Sequence, residues 1–153
     1  ACLIHNDFKF DNVVLDSQDI TRIIGVLDWE MASIGDPLMD LGASLAYWVD
    51  PADPKPMQMI RRQPTTVPGM MTRAEVVAHY AERSGRVIED FTYYYIYGLF
   101  RLAGIAQQIY FRYKLGQTTD ERFAVFGQAV NVLAAQAEGV IGIGRRLNRE
   151  DSS

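Results

Sequence analysis

The opening stretch of the chain constrains most strongly what it can fold into. It reads His5-Asn6-Asp7-Phe8-Lys9-Phe10-Asp11-Asn12 and later Leu27-Asp28-Trp29-Glu30. A strand-like apolar triplet precedes the first segment (Cys2-Leu3-Ile4), and another follows it (Val13-Val14-Leu15). A second arm, Ile23-Ile24-Gly25-Val26-Leu27, ends at Asp28, with a polar turn between the arms at Ser17 to Asp19. This pattern predicts short strands carrying a polar loop. The loop brings Asp7 and Asn12 to one side, and the returning arm delivers Asp28 to the same place.

The spacing His-x-Asp-x-x-x-x-Asn, followed by an Asp at a strand end, is that of phosphoryl-transfer loops. Such chemistry needs a carboxylate to orient or deprotonate an acceptor hydroxyl, and Asp7 holds that position. It needs Mg²⁺, a hard cation that prefers oxygen ligands. Asn12 offers an amide oxygen and Asp28 a carboxylate. Lys9 is suited to neutralise charge on the transferring phosphoryl. Asn6 belongs to the few residue types that tolerate the left-handed backbone region. His5 is expected to hold the loop rather than react, and Asp11 to be a turn residue. Glu30 is expected to be structural or to reach a second metal or an acceptor group.

The rest of the chain reads as helical. Asp36 caps a helix that starts at Pro37 and is expected to reach about Trp48. Residues 50–71 hold five prolines (Pro51, Pro54, Pro56, Pro64, Pro68) together with Arg61 and Arg62, and read as a loop. Thr72 and Glu75 form a capping box for a helix to about Arg83, ended by Ser84-Gly85. Asp90 or Thr92 opens a long helix to about Leu115, stopped by Gly116. Thr119 begins a last helix to about Gly139. The aromatic run Tyr93-Tyr94-Tyr95, Tyr97, Phe100 is expected in the core, Trp29 and Trp48 in packing, and His79 at the surface. Arg101, Gln108 and Arg112 share one helical face and are candidates to line an acceptor pocket with Glu30.

Composition sets limits. The chain has 153 residues, enough for one domain with a sizeable core, and 48% are hydrophobic. Its net charge of −4 argues against a broad nucleic-acid surface. The single cysteine, Cys2, permits no internal disulfide and fits a cytoplasmic location. No apolar run reaches the roughly 18 residues of a membrane span, and no signal peptide is visible. The start at Ala1, directly on a strand, looks like an excised segment.

Taken together, Asp7, Asn12, the Leu-Asp-Trp-Glu run at 27–30 and the Gly-Asp-Pro-x-x-Asp-Leu-Gly run at 35–42 resemble the aminoglycoside phosphotransferase and choline kinase superfamily. The segment from Phe100 to Gln108, on to Tyr110 and Arg112-Tyr113, resembles the phosphotransferase domains fused to or related to acyl-CoA dehydrogenase proteins. The resemblance spans about residues 1–142 and covers only the family's C-terminal lobe, without the nucleotide-binding lobe. It implies a catalytic Asp7, metal ligands Asn12 and Asp28, and an Asp40 that braces the loop with His5. Asn6 departs from the family's usual Gly.

The expectation is an α+β, protein-kinase-like C-terminal lobe over residues 1–144, mostly helical, with a small β-hairpin platform and a polar tail at 145–153. The expected function is ATP- and Mg²⁺-dependent phosphoryl transfer to a small-molecule hydroxyl of an aminoglycoside-like, choline-like or hydroxyacyl compound. Nucleic acid and membranes are not expected partners. The surface left bare by the missing lobe suggests self-association. A non-catalytic assembly module of the same fold is the alternative. A protein kinase is a weaker one, because Asp28-Trp29-Glu30 stands where Asp-Phe-Gly belongs and no Ala-Pro-Glu segment follows.

Overall fold

The computed structural model describes residues 1–150, and side chains for residues 1–142. Its β structure is two small antiparallel pairs rather than one hairpin platform. Strand β1 (Cys2–Ile4) pairs with β4 (Ser33–Gly35), Leu3 facing Ile34. Strand β2 (Val13–Leu15) pairs with β3 (Ile23–Val26), with an irregularity between Val14 and Leu15. The polar loop occupies the space between β1 and β2, so β1 finds its partner only after the chain has turned at Asp28. The three-residue run Ser-Ile-Gly of β4 is too short to show alternation, which is why sequence reading passed over it.

Helix α1 (Pro37–Ala46) starts where its cap predicts: the Asp36 side chain accepts from Leu38 N at 2.9 Å, and Pro37 takes the first-turn position that needs no donor. It stops two residues early, and Tyr47 and Trp48 continue as single turns. The proline-rich segment holds a short helix, α2 (Lys55–Ile60). Pro54 and Pro56 stand at its start, where a missing N–H is harmless, so the prolines there begin a helix instead of forbidding one. Helix α3 (Arg73–Ser84) carries the full Thr72–Glu75 capping box and ends at Gly85 with φ 68°. Helix α4 (Thr92–Lys114) is followed by a 3-10 turn (Glu121–Val125) and helix α5 (Phe126–Glu150). The boundary expected at residue 144 thus falls inside α5, and residues 151–153 lie outside those described.

The core joins α1, α2, α4 and α5 through Leu45, Met57, Tyr95, Leu99 and Leu133. Helices α1 and α4 meet backbone to backbone: a Cβ on Gly98 would lie 2.0 Å from the Gly42 carbonyl oxygen. That approach draws α4 under the loop end of α1. Arg73 locks the far side. Its guanidinium donates to Trp48 O (2.7 Å) and to both Asp53 carboxylate oxygens (2.5 and 2.6 Å), and lies 4.9 Å from the Tyr95 ring centre.

The segment Glu121–Gly142 is long and apolar enough, by length and composition, to cross a membrane. Here α5 packs along α4, burying Leu133 and exposing Gln128, Asn131 and Glu138.

Candidate active site

The loop between β1 and β2 is held from below by one carboxylate. Asp40, in the first turn of α1, accepts from His5 N (2.9 Å) and Asn6 N (2.7 Å). Asn6 has φ 66°, and its side chain donates to Met31 O and Ser33 Oγ, both at 2.9 Å. It therefore straps the loop to the turn Trp29–Met31, which glycine would leave unbound. His5 Nε2 donates to Leu27 O (2.7 Å) while Nδ1 accepts from Asp7 N (3.2 Å), a pair of bonds that fixes one tautomer. Its ring lies 4.7 Å from that of Trp29.

Asp7 is 8% exposed and receives donors on both oxygens. Lys9 Nζ (2.5 Å) and Asn12 Nδ2 (3.2 Å) meet Oδ2, and Tyr47 OH meets Oδ1 at 2.9 Å. Each carboxylate oxygen can accept about two hydrogen bonds, so Oδ2 is saturated and Oδ1 keeps one position. The Lys9 ammonium also lies 5.2 Å from the Tyr47 ring centre. Burial first, and then the negative charge of Asp7, push the Tyr47 phenol far above its ordinary range, so it stays a donor.

Asn12 ends a 3-10 turn (Phe10–Asn12) and donates a second bond to Asp7 O at 2.8 Å. Its backbone carbonyl accepts from Leu27 N at 2.8 Å. Leu27 is thus pinned through both backbone groups, to Asn12 and to His5, and this sets the position of Asp28. Asp28 adopts φ 66°, ψ 51°. Asn6 and Asp28 are the two non-glycine residues with positive φ among the described residues, and both border this loop.

The donor chemistry suits a magnesium ion. The Asp28 carboxylate is exposed, and neither it nor Asn12 Oδ1 takes a hydrogen bond among the described residues, so these hard oxygens remain available. Among the described residues no three His, Cys, Asp or Glu side chains gather into a metal cage. A cation here would keep water and phosphate oxygens as ligands, the usual arrangement for Mg²⁺.

The candidate acceptor residues are spread out. Glu30 is exposed in the turn after Asp28. Arg101 is half-buried, with Nη2 3.5 Å from Met31 Sδ, and so stands beside the loop. Gln108 and Arg112 are exposed farther along α4, about 10 and 16 Å beyond Arg101 at 1.5 Å per residue.

Tyr47 was missed in the sequence. A signal existed: Asp40, Ser44 and Tyr47 stand at i, i+4 and i+7, a polar stripe on the face of α1 that meets the loop. Replacing Tyr47 with Phe removes a bond to a charged, buried acceptor. It should lower stability by about 1.5–3 kcal/mol in urea unfolding. A midpoint equal to wild type would mean that the bond contributes nothing.

Comparison with known proteins adds the following. A model of the phosphotransferase enzyme family matches residues 1–76. Acyl-CoA dehydrogenase family member 11 of Rattus norvegicus is 36% identical over 140 residues, covering 87% of this chain and 17% of that protein. Acyl-CoA dehydrogenase family member 10 of Mus musculus is 31% identical over 137 residues, covering 88% of the chain and 13% of that protein. A probable acyl-CoA dehydrogenase, IBR3, of Arabidopsis thaliana is 29% identical over 144 residues, covering 91% and 17%. The matched stretch therefore spans between about an eighth and a sixth of the length of these relatives. No solved structure matches it.

Proposed function

We propose that the chain, whose residues 1–76 match the phosphotransferase enzyme family, is the catalytic lobe of an ATP-dependent phosphotransferase acting on a small-molecule hydroxyl. One observation carries this reading. Lys9, Asn12 and Tyr47 converge on the Asp7 carboxylate and leave a single accepting position, on Oδ1.

In this mechanism the acceptor hydroxyl donates to that free position, which aligns its oxygen with the γ-phosphorus of ATP. The acceptor oxygen forms a bond to phosphorus, the bond from phosphorus to the β–γ bridging oxygen breaks, and ADP departs. The hydroxyl proton passes to Asp7 Oδ1. Asn12 Oδ1 and the Asp28 carboxylate would hold a magnesium ion, whose positive charge would offset that of the phosphate oxygens. Tyr47 and Asn12 keep the Asp7 carboxylate in one rotamer, so the position is set before the substrate arrives. Asp40 acts at one remove, fixing the backbone of His5 and Asn6. The half-buried Arg101 beside Met31 favours an anionic or apolar acceptor over a polycationic one.

Calorimetric titration with Mg²⁺-ATP tests the reading. Binding is expected, and Asp28→Asn should weaken it about ten-fold or more, the usual loss for a disturbed metal site. Equal affinity of the two proteins would remove Asp28 from the metal site and the reading with it.

A further inference from the structure

Helix α4 is apolar on two sides. Tyr95, Leu99 and Ala106 occupy the buried side, and the helix packs on α1 and α5. The opposite side carries Tyr93, Tyr97, Phe100, Gly104, Phe111 and Leu115. These advance by three, four or seven residues and so share one face of the helix. Tyr93, Phe100, Phe111 and Leu115 are 65%, 76%, 57% and 57% exposed. The aromatic run expected in the core is thus divided: Tyr95 reaches it, and Tyr93 and Phe100 face outward. Gly104 leaves a dimple in the stripe, where a Cβ would meet nothing within 4 Å.

This face is complementary to itself. A two-fold axis beside Leu102 sets two α4 helices antiparallel. It places Phe100 of one copy over Gly104 of the other, and Tyr93 against Phe111, each contact occurring twice. The charges agree with this direction. Helix α4 has Arg112 and Lys114 in its last turn and no acid in its first, while Glu89 and Asp90 stand just before it. Antiparallel pairing brings Lys114 of one copy to Glu89 of the other, and Arg112 to Asp90. Parallel pairing would set like charges together.

The area is also sufficient. The four exposed side chains offer roughly 600 Å² per copy. Two copies would cover about 1,200 Å², the lower end of the range for specific interfaces. An apolar stripe of this extent is large for a surface with no partner. We infer that this face of α4 is an interface between two copies of this chain, packed antiparallel about Leu102. The contact is independent of phosphoryl transfer and of the exposed strand face.

Sedimentation velocity of the 17.3 kDa chain tests it. A dimer is expected, half-formed at about 10 µM, as suits an interface of this size. Phe100→Ala should weaken it about 30-fold or more, since two rings leave each dimer. Gly104→Gln fills the dimple. Nothing in a single copy lies there, so the circular dichroism spectrum should match wild type while dimerisation weakens about ten-fold or more. Lys114→Glu should weaken the dimer several-fold, and combining it with Glu89→Lys should restore affinity to within about two-fold of wild type. Ile34→Asp, on β4 and 73% exposed, probes the strand face and should change nothing. A monomer at about 500 µM, dimerisation unchanged in Phe100→Ala or Gly104→Gln, no recovery in the double charge exchange, or a dimer lost in Ile34→Asp would each overturn the inference.

Discussion

Replacing Arg73 with alanine is expected to cost about 3–5 kcal/mol of unfolding free energy, measured by urea denaturation at neutral pH. The side chains of Arg73 and Asp53 are 17% and 6% exposed. Arg73 neutralises Asp53 through its two terminal guanidinium nitrogens, stands 3.4 Å from Asp50, and donates to the Trp48 carbonyl. Without it, Asp53 keeps the Asp50 backbone N–H at 2.8 Å and a long contact to Gln136 at 3.5 Å, but no counter-charge. A buried charge left alone is costly because the protein interior screens poorly, so the loss exceeds what the pair itself contributes. Arg73→Lys should fall between the two, since an ammonium keeps the charge but cannot span both Asp53 oxygens. The exposed pair Arg122–Asp120 provides the contrast, and Arg122→Ala should leave the transition nearly unmoved. A loss below about 1 kcal/mol for Arg73→Ala would mean that Asp53 readily recovers water, and that α3 is not locked by this contact.

The parts of the fold legible in the sequence are those governed by neighbours in the chain. Asp36-Pro37, Thr72 with Glu75, Gly85 and Gly116 mark helix ends by hydrogen-bond chemistry within a few residues, and the structure places ends there. The pairing of β1 with β4 links Leu3 to Ile34 across the whole site, and three-residue strands carry no periodicity to reveal it. Helix α2 was hidden because prolines count against a helix except in its first turn, and only the structure tells which turn each occupies. In the loop, residue types and spacing could be read, since His5, Asp7 and Asn12 lie within eight positions. What surrounds Asp7 could not. Tyr47 reaches it only because α1 lies beneath the loop, an arrangement made by Asp40 and by the Gly42–Gly98 contact.

Asp7→Asn should lower turnover by about 10²–10⁴-fold on the full-length polypeptide, the usual worth of a positioned base, with KM nearly unchanged. The substitution keeps the size of the side chain, so the test turns on protons. The new amide has one oxygen and one NH₂ group. Lys9 and Asn12 are both donors, so the oxygen is drawn to their side and the NH₂ group faces Tyr47. A tyrosine hydroxyl both donates and accepts, so Tyr47 can turn its proton away and receive the new N–H. The hydrogen bonds close again, and the circular dichroism spectrum should match wild type. The position on Oδ1 that was free to accept a proton is now occupied by a donor. An acceptor hydroxyl arriving there meets N–H instead of a lone pair, and its oxygen is no longer aligned or deprotonated. Turnover retained within about ten-fold would show that the reaction does not pass its proton through Asp7, and the catalytic assignment would fall.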